Sequence, residues 1–246
     1  MLKNRCLALA IAALAVWCAP ARAQDYVVID SSVPAVAKGA TIAKGAKLDV
    51  PAQGRVVLIS DAGQVVTING PFSGPPPAPN GPGVPGDRAT HVLSALLNHT
   101  QTELGVARAV ESHWRDNAVA TPADVYAIDA SDGGDICLAD PAHAVVMHDP
   151  AAAGDMSVKS LTGDGAAKLT WTKGAVRQAW PASFQLADGD MVSFEMAGQD
   201  VAAIATIHIL PSQDPGGDVA RAMALAQAGC TDQARLLLGV IAKKAK

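Results

Sequence analysis

The sequence predicts a mainly β protein with a small N-terminal β-module and a C-terminal antiparallel β-sandwich, together with a linking helix and a C-terminal helical hairpin. Three observations lead to this fold class. Runs of β-branched residues recur between Gly, Asp and Pro turns, as short strands do. Apolar residues at helical spacing are confined to two stretches of the chain. A segment rich in proline and glycine separates the first strands from the remainder of the chain.

Residues 1–23 have the features of a secretory signal peptide. Their start is positively charged, the apolar stretch 7–17 is too short for a comfortable membrane span, and the sequence at 21–23 fits a cleavage site. A lipoprotein anchored through Cys18 is the alternative interpretation. We therefore expect a periplasmic or secreted protein.

The net charge of the chain argues against a nucleic-acid partner. The chain carries 19 Lys and Arg against 23 Asp and Glu; three of the basic residues lie in the signal segment, so the mature chain would keep 16 and have a net charge of −7. A nucleic-acid partner would need a basic stripe, which the sequence does not contain. No second apolar run of about 18 residues follows, so we expect no membrane span in the mature chain.

Residues 24–72 predict the small β-module. The segments YVVID (Tyr26–Asp30), RVVLIS (Arg55–Ser60) and QVVTI (Gln64–Ile68) are rich in β-branched residues. The second of them is apolar on both faces, which predicts a central strand. Fewer than 50 residues cannot bury a large core, so the module is either a barrel-like meander or docks elsewhere.

A linker and a helix come next. Residues 73–86 are rich in Pro and Gly, which favours a semi-flexible linker. Residues 87–116 predict one long helix, or two with a break at Gly105. The apolar positions at helical spacing are Val92, Leu93, Leu96 and Leu97.

Residues 117–213 predict the β-sandwich, starting with the strand DVYAID and continuing in short strands. Apolar residues alternate with polar ones along at least two of these strands, which indicates sheets with one wet face. The predicted inward residues are Ala167, Leu169, Trp171, Val192, Phe194 and Met196. Residues 214–246 predict the helical hairpin, with Gly229 closing its first helix and Thr231 capping its second.

Two cysteines remain after removal of the signal segment, Cys137 and Cys230. Because an exported chain meets oxidising conditions, we expect one disulfide between them, which would fasten the helical hairpin to the sandwich. Two unpaired buried thiols are the alternative. A metal site has no supporting ligand spacing, and we expect no cofactor.

The segment CLADPAHAVVMHD offers the strongest candidate chemistry. His143, His148 and Asp149 are residue types that a hydrolase or a metal-dependent enzyme could use. Strand alternation, however, places the two histidines on opposite faces. The polar segment Asp129–Asp135 is interpreted as a turn, with a loose calcium site as the alternative.

Two further side chains are candidates for other roles. Trp180 could contact a glycan by stacking, because its flanking residues have no clear period. His208 shares a strand face with Ile204 and Leu210, which predicts a hydrogen-bonded core histidine.

The N-terminal module resembles a known bacterial module. The segment KGAKLDVPAQGRVVLISDAGQVVTINGPFSG resembles exported β-modules of the FecR-like type. The second half is similar to uncharacterised exported alphaproteobacterial proteins in the segments ICLAD, KLTWTKG, AWP, LADGD and AQAGCTDQARLLL. The resemblance implies an all-β envelope protein that ends in helices, and it transfers no catalytic residue.

These observations predict a non-enzymatic cell-envelope protein that acts as a binding or scaffold module. Its partner would be an envelope protein or a glycan. The alternatives are a hydrolase or metal-dependent enzyme that uses His143, His148 and Asp149, and a glycan-binding module that uses Trp180.

Overall fold

The computed structural model describes residues 25–79, 89–98, 121–198, 202–211 and 216–245. Within these ranges the protein is mainly β, with fourteen strands and three α-helices, which confirms the predicted fold class. None of the helices in these ranges has the length and apolar character needed to span a bilayer. The predicted signal peptide lies outside the described residues.

Six strands form the N-terminal unit. They are β1 (Tyr26–Ser31), β2 (Thr41–Ile42), β3 (Leu48–Val50), β4 (Arg55–Ser60), β5 (Val65–Asn69) and β6 (Phe72–Gly74). Four of them pair antiparallel in the order β2-β1-β4-β5, and β3 pairs with β6. The predicted central position of β4 is confirmed.

Strands β1 and β4 are buried on both faces. On one face, Val28 and Leu58 belong to a small core that closes within the N-terminal unit. On the other face, Val27, Val57 and Ile59 pack against helices from later in the chain. The unit therefore has a small core of its own and also docks on the helices, which is the second of the two options left open by the sequence.

The helices are α1 (Ala89–Asn98), α2 (Asp218–Gln227) and α3 (Thr231–Lys244). The pair α2 and α3 confirms the predicted C-terminal hairpin, and Gly229 between them has a φ of 88°. Cys230 rather than Thr231 occupies the N-cap position of α3, without a side-chain cap. The part of the predicted helix 87–116 that follows α1 lies outside the described residues.

The remaining eight strands form the sandwich. They are β7 (Ile128–Asp129), β8 (Gly134–Leu138), β9 (Val145–Met147), β10 (Gly154–Ser160), β11 (Ala166–Trp171), β12 (Arg177–Ala179), β13 (Met191–Met196) and β14 (Ala203–Ile209). One sheet has the order β11-β10-β13-β14-β8 and the other has the order β12-β9-β7.

Most strand pairs of the sandwich are antiparallel, as predicted, but two pairs are parallel. Strand β14 runs parallel to β8, and β7 runs parallel to β9. Alternation along a strand specifies which face is buried, and it carries no information on the direction of the neighbouring strand. The strand predicted in DVYAID is reduced to β7, because Asp124 accepts a hydrogen bond from the N–H of Thr121 (2.9 Å) and a 3-10 turn forms over Asp124–Tyr126.

The sandwich core matches the predicted alternation. Val192, Phe194 and Met196 are buried, whereas Glu195 between them is exposed. Leu169 and Trp171 are buried in the same core. Every buried residue of this core comes from the sandwich itself.

The three helices lie in a layer that contacts both β units. Their apolar faces pack with Val57 and Ile59 of the N-terminal sheet and with Val125 and Met147 of the sandwich. Hydrogen bonds also attach the helical layer to the N-terminal sheet. They use the last carbonyls of a helix, which have no partner within the helix itself.

Two residues of the N-terminal sheet supply partners for these carbonyls. Arg55 Nη1 donates to the carbonyl of Ala242 (3.4 Å), and Thr67 Oγ1 donates to the carbonyl of Ala245 (2.9 Å). Arg55 is held in place by an ion pair between its Nη2 and Asp30 Oδ2 (2.5 Å).

Candidate binding surface

The outer face of the five-stranded sheet is the candidate binding surface. Successive side chains of a strand point to opposite faces, so every second residue of β10, β11 and β13 faces away from the core. The polar residues that face outward at one end of this surface are Asp155, Ser157, Lys168, Thr170 and Glu195. We call this set the polar end of the sheet.

Asp155 is the most strongly paired residue of the polar end. Its Oδ2 lies 2.6 Å from Lys168 Nζ, and its Oδ1 accepts a hydrogen bond from Thr170 Oγ1 (2.8 Å). The hydrogen bond from Lys168 and then that from Thr170 lower the pKa of Asp155 below its usual range. This carboxylate therefore stays ionised at neutral pH.

A second ion pair lies beside the first. Lys159 Nζ on β10 lies 3.0 Å from Glu195 Oε2 on β13. Next to the two ion pairs is an open cavity of about 520 Å³. It is lined by Asp155, Ser157, Lys168, Glu195, Ala197 and Ala202. The cavity thus has walls of both charges, which are already held in position.

The other end of the same face is apolar. Met191 on β13 and Ile204 on β14 are exposed to 38% and 45%, and Leu161 after β10 is exposed to 52%. The N–H of Leu161 donates to the carbonyl of Met191 (2.8 Å), which places these two side chains side by side. The candidate surface therefore combines fixed charges with a small apolar patch.

His208 corrects one of the predictions. It shares a face with Ile204, as predicted, but this is the outer face of the sheet. Its Nε2 lies 2.9 Å from Asp135 Oδ1, and its side chain is one-third exposed. The shared face and the hydrogen bond agree with the prediction, whereas the predicted core position is wrong.

The predicted disulfide is confirmed. Cys137 on β8 is bonded to Cys230 at the start of α3, and both residues are buried. Three residues further on, the fully buried amide of Gln233 binds the edge of β8. Its Oε1 accepts from the N–H of Cys137 (2.6 Å), and its Nε2 donates to the carbonyls of Cys137 (3.1 Å) and Val125 (2.7 Å).

The residues of the predicted alternative enzyme site each have separate partners. His143 is exposed and its Nδ1 binds Asp140 Oδ2 (2.7 Å), and this hydrogen bond lowers the pKa of Asp140. His148 is buried, with its ring 5.2 Å from that of Trp171 and its Nδ1 bound to the backbone carbonyl of Asp149 (3.0 Å). The carboxylate of Asp149 accepts from the N–H of Ala151 (2.8 Å). In the described part of the chain, no hydrogen bond joins the side chains of His143, His148 and Asp149 to one another.

Trp180 lies inside the sandwich. It is 9% exposed, and its ring packs against Phe184 and Phe194 at centroid distances of 5.2 and 6.3 Å. Its Nε1 donates to the carbonyl of Phe184. Stacking of this ring on a glycan would therefore require the surrounding core to open.

The structure also places the residues of the suggested calcium turn. Asp129 is buried, and its Oδ1 accepts from the N–H groups of Ser131 (2.8 Å) and Asp132 (3.2 Å), whereas Asp135 pairs with His208. Among the described residues, no group of three or more His, Cys, Asp or Glu side chains is placed to hold a metal ion.

The sequence pattern missed the ion pairs of the polar end and the role of Gln233. Alternation indicated a wet face, but which charges meet across it depends on strand register. Gln233 carried no signal beyond its helical position.

In comparisons with protein families, curated proteins and solved structures, nothing matches this chain. The resemblance to FecR-like modules therefore stays a prediction.

Proposed function

We propose that this chain is a non-enzymatic, exported protein of the cell envelope, periplasmic or secreted, that acts as a binding or scaffold module through the outer face of its five-stranded sheet. The observation that carries the proposal is the cavity of about 520 Å³ beside the ion pairs Asp155–Lys168 and Lys159–Glu195.

The chemistry of the polar end favours binding over proton transfer. A general acid or base works best with a pKa near the operating pH. The pKa of Asp155 is lowered instead, so its carboxylate offers a fixed negative charge. Cross-strand pairing also restricts Lys168 and Glu195 before any partner arrives, which reduces the entropy that binding must remove.

The disulfide supports export. Bonds of this kind form and persist in oxidising compartments such as the periplasm and the extracellular space. Cys137 and Cys230 are joined and buried, and the sequence begins with a predicted secretory signal at residues 1–23.

The composition of the surface favours an envelope protein or a glycan as the partner. The charges occur as pairs of opposite sign, hydroxyl groups of Ser157 and Thr170 lie beside them, and the apolar patch begins at Met191. A surface of this kind suits a partner that offers both hydrogen-bonding groups and apolar contact.

Site-specific crosslinking tests the proposal. A photo-reactive amino acid at position 157 in the exported protein should give a reproducible crosslinked product in cells, and excess unlabelled protein should compete with it. The control places the same group at Gln53, an exposed turn residue of the N-terminal unit. Equal products at both positions, or none at position 157, would contradict the proposal.

Export is tested separately. Residues 1–30 fused to a reporter enzyme that is active only outside the cytoplasm should give activity. An inactive fusion that is made and stable would contradict the export part of the proposal while leaving the binding part open to the crosslinking result.

A further inference from the structure

The two edges of the five-stranded sheet differ in how they are closed. At β8, the amide of Gln233 binds the N–H and C=O of Cys137 that point away from β14, and the disulfide fastens the same residue to the helices. At β11, no strand pairs with the outer side within the described residues. An uncovered edge strand is a template for pairing with another strand.

The backbone groups that β11 presents at this edge follow from its register. The N–H of Ser160 donates to the carbonyl of Gly165 (2.7 Å), so Gly165 and every second residue after it direct their backbone groups toward β10. Ala166, Lys168 and Thr170 therefore direct their N–H and C=O groups outward, and all three residues are exposed.

A lysine on an edge strand commonly prevents edge-to-edge pairing. Here the ammonium group of Lys168 is bound to Asp155 on β10, at 2.6 Å. Because β10 lies on the inner side of β11, the lysine side chain leans over the sheet face. Its charge is compensated there, and the outer side of the strand is left accessible.

We propose that β11 pairs antiparallel with β11 of a second copy of this chain, in a register with the two-fold axis at Leu169. Lys168 of each copy then lies opposite Thr170 of the other, whose hydroxyl is bound to Asp155. Each Lys168 ammonium group keeps its ion pair with Asp155 of its own copy, and an uncharged residue lies opposite it. A register centred on Lys168 would instead place two ammonium groups side by side, which is unfavourable.

The other side of the strands is also complementary in this register. Leu169 lies opposite its own copy, and Ala167 lies opposite Trp171, so apolar residues meet apolar residues. Lys168 and Thr170 exchange four backbone hydrogen bonds across the axis. The product is one ten-stranded sheet whose two cavities share a face. This inference goes beyond the proposed binding function and does not depend on it.

The contact is short, since six residues of strand extend over about 20 Å. We therefore expect a reversible dimer. Sedimentation velocity of the purified oxidised protein over a concentration series should show a monomer–dimer equilibrium. A monomer at every concentration would overturn the proposal.

Proline substitutions locate the interface. Thr170→Pro removes an outward N–H that β10 does not use, so the monomer tolerates it, while two hydrogen bonds of the dimer are lost. The dimer should weaken about tenfold to hundredfold. Thr170→Val controls for the lost hydroxyl contact, and Lys173→Pro controls for a nearby proline in a turn, where the N–H of Ala175 donates to Thr172. An unchanged dimer in Thr170→Pro, or an equal loss in Lys173→Pro, would refute the proposed interface.

A charge exchange gives a second test that does not depend on proline. Lys168→Asp should weaken the dimer, because two carboxylates then lie together within each copy and position 168 brings an uncompensated negative charge to the interface. The double variant Asp155→Lys/Lys168→Asp restores opposite charges and should restore the dimer. If the double variant stays as weak as Lys168→Asp alone, the register centred on Leu169 is wrong.

Discussion

The two β units bury their apolar strands in different ways. In the sandwich, two sheets cover each other, and among the described residues the core around Val158 and Phe194 is built from sandwich residues. In the N-terminal unit, one face of the sheet closes on the unit itself, whereas Val57 and Ile59 on the other face are covered by the helices. The sandwich core is therefore self-contained, and the N-terminal core is shared.

This difference gives the helical layer a structural role. The disulfide and Gln233 attach the layer to the sandwich, and Arg55 and Thr67 attach it to the N-terminal sheet. We therefore expect that detaching the helices from the sandwich destabilises the N-terminal unit more than it destabilises the sandwich. The following predictions test this asymmetry.

The largest effect is expected from loss of the disulfide. The double variant Cys137→Ala/Cys230→Ala removes a crosslink between residues 93 positions apart, and it should lower the free energy of unfolding by about 4–5 kcal/mol in the chain-entropy account. Urea denaturation measures this loss. Hydrogen exchange should accelerate in β1 and β4 before it does in β10 and β13, because the helices detach from the sandwich first. Equal acceleration in both units would show that the two cores unfold together.

Truncation of the helical layer should give the next largest effect. Leu93 of α1 is fully buried against the N-terminal sheet, so Leu93→Ala should cost about 3 kcal/mol. Exchange should accelerate in β1 and β4, while β10 and β13 stay protected. The matched control is Leu138→Ala in the sandwich, also buried, which should open the sandwich strands. If Leu93→Ala accelerates exchange in β10 and β13 as much as in β1 and β4, the proposed difference between the two units is wrong.

Removal of the Gln233 amide should have an intermediate effect. Gln233→Leu leaves the N–H and C=O of Cys137 and the carbonyl of Val125 without their partner, which should cost about 1–3 kcal/mol. The measurement is the urea midpoint of the oxidised protein. Gln227→Leu on the exposed side of α2 is the control, and it should stay within about 0.5 kcal/mol of wild type. Equal midpoints for the two variants would mean that Gln233 does not hold the edge.

The smallest effect is expected from acid, and it should be similar in both units. Asp155 in the sandwich and Asp49 in the N-terminal unit have lowered pKa values, through hydrogen bonds from Lys168 and Thr170 and from Ser73 and Lys47, respectively. A carboxyl group with a lowered folded-state pKa stabilises the fold above its unfolded pKa of about 3.9, and this contribution is lost as the pH falls through the folded value.

The measurement is the decrease in urea midpoint from pH 5 to pH 3. It should be slightly smaller in Asp155→Asn and in Asp49→Asn than in wild type, by a similar amount. A larger decrease in either variant would contradict the sign of the shift.

Much of the fold could be predicted from local patterns. The period of two along β11 and β13 indicated the buried positions of Leu169, Trp171 and Phe194, because side chains alternate between the faces of a strand. The apolar residues on both faces of β4 indicated a central strand. Helical periodicity indicated the C-terminal pair, and the two cysteines outside the predicted signal peptide indicated the disulfide.

Prediction failed where the answer depended on which strands become neighbours. The parallel pairs β14–β8 and β7–β9 join segments that are distant in the chain or separated by another strand, and alternation does not specify direction. His208 shares a face with Ile204, as alternation predicts, but the sandwich core lies on the opposite face, so His208 is one-third exposed. The ion pairs of the candidate surface arise from the register between β10, β11 and β13.

By itself, the sequence determined which residues of a strand or helix share a face, because that depends on the spacing of side chains along one segment. With the predicted removal of residues 1–23, it also predicted which two sulfurs would join. Only the tertiary structure decided that the helices contact both β units, that an amide closes one edge of the five-stranded sheet while no described strand pairs with the other edge, and which charges meet on the outer face. These outcomes depend on contacts between segments far apart in the chain, and their energies are set by packing and register that no single segment contains.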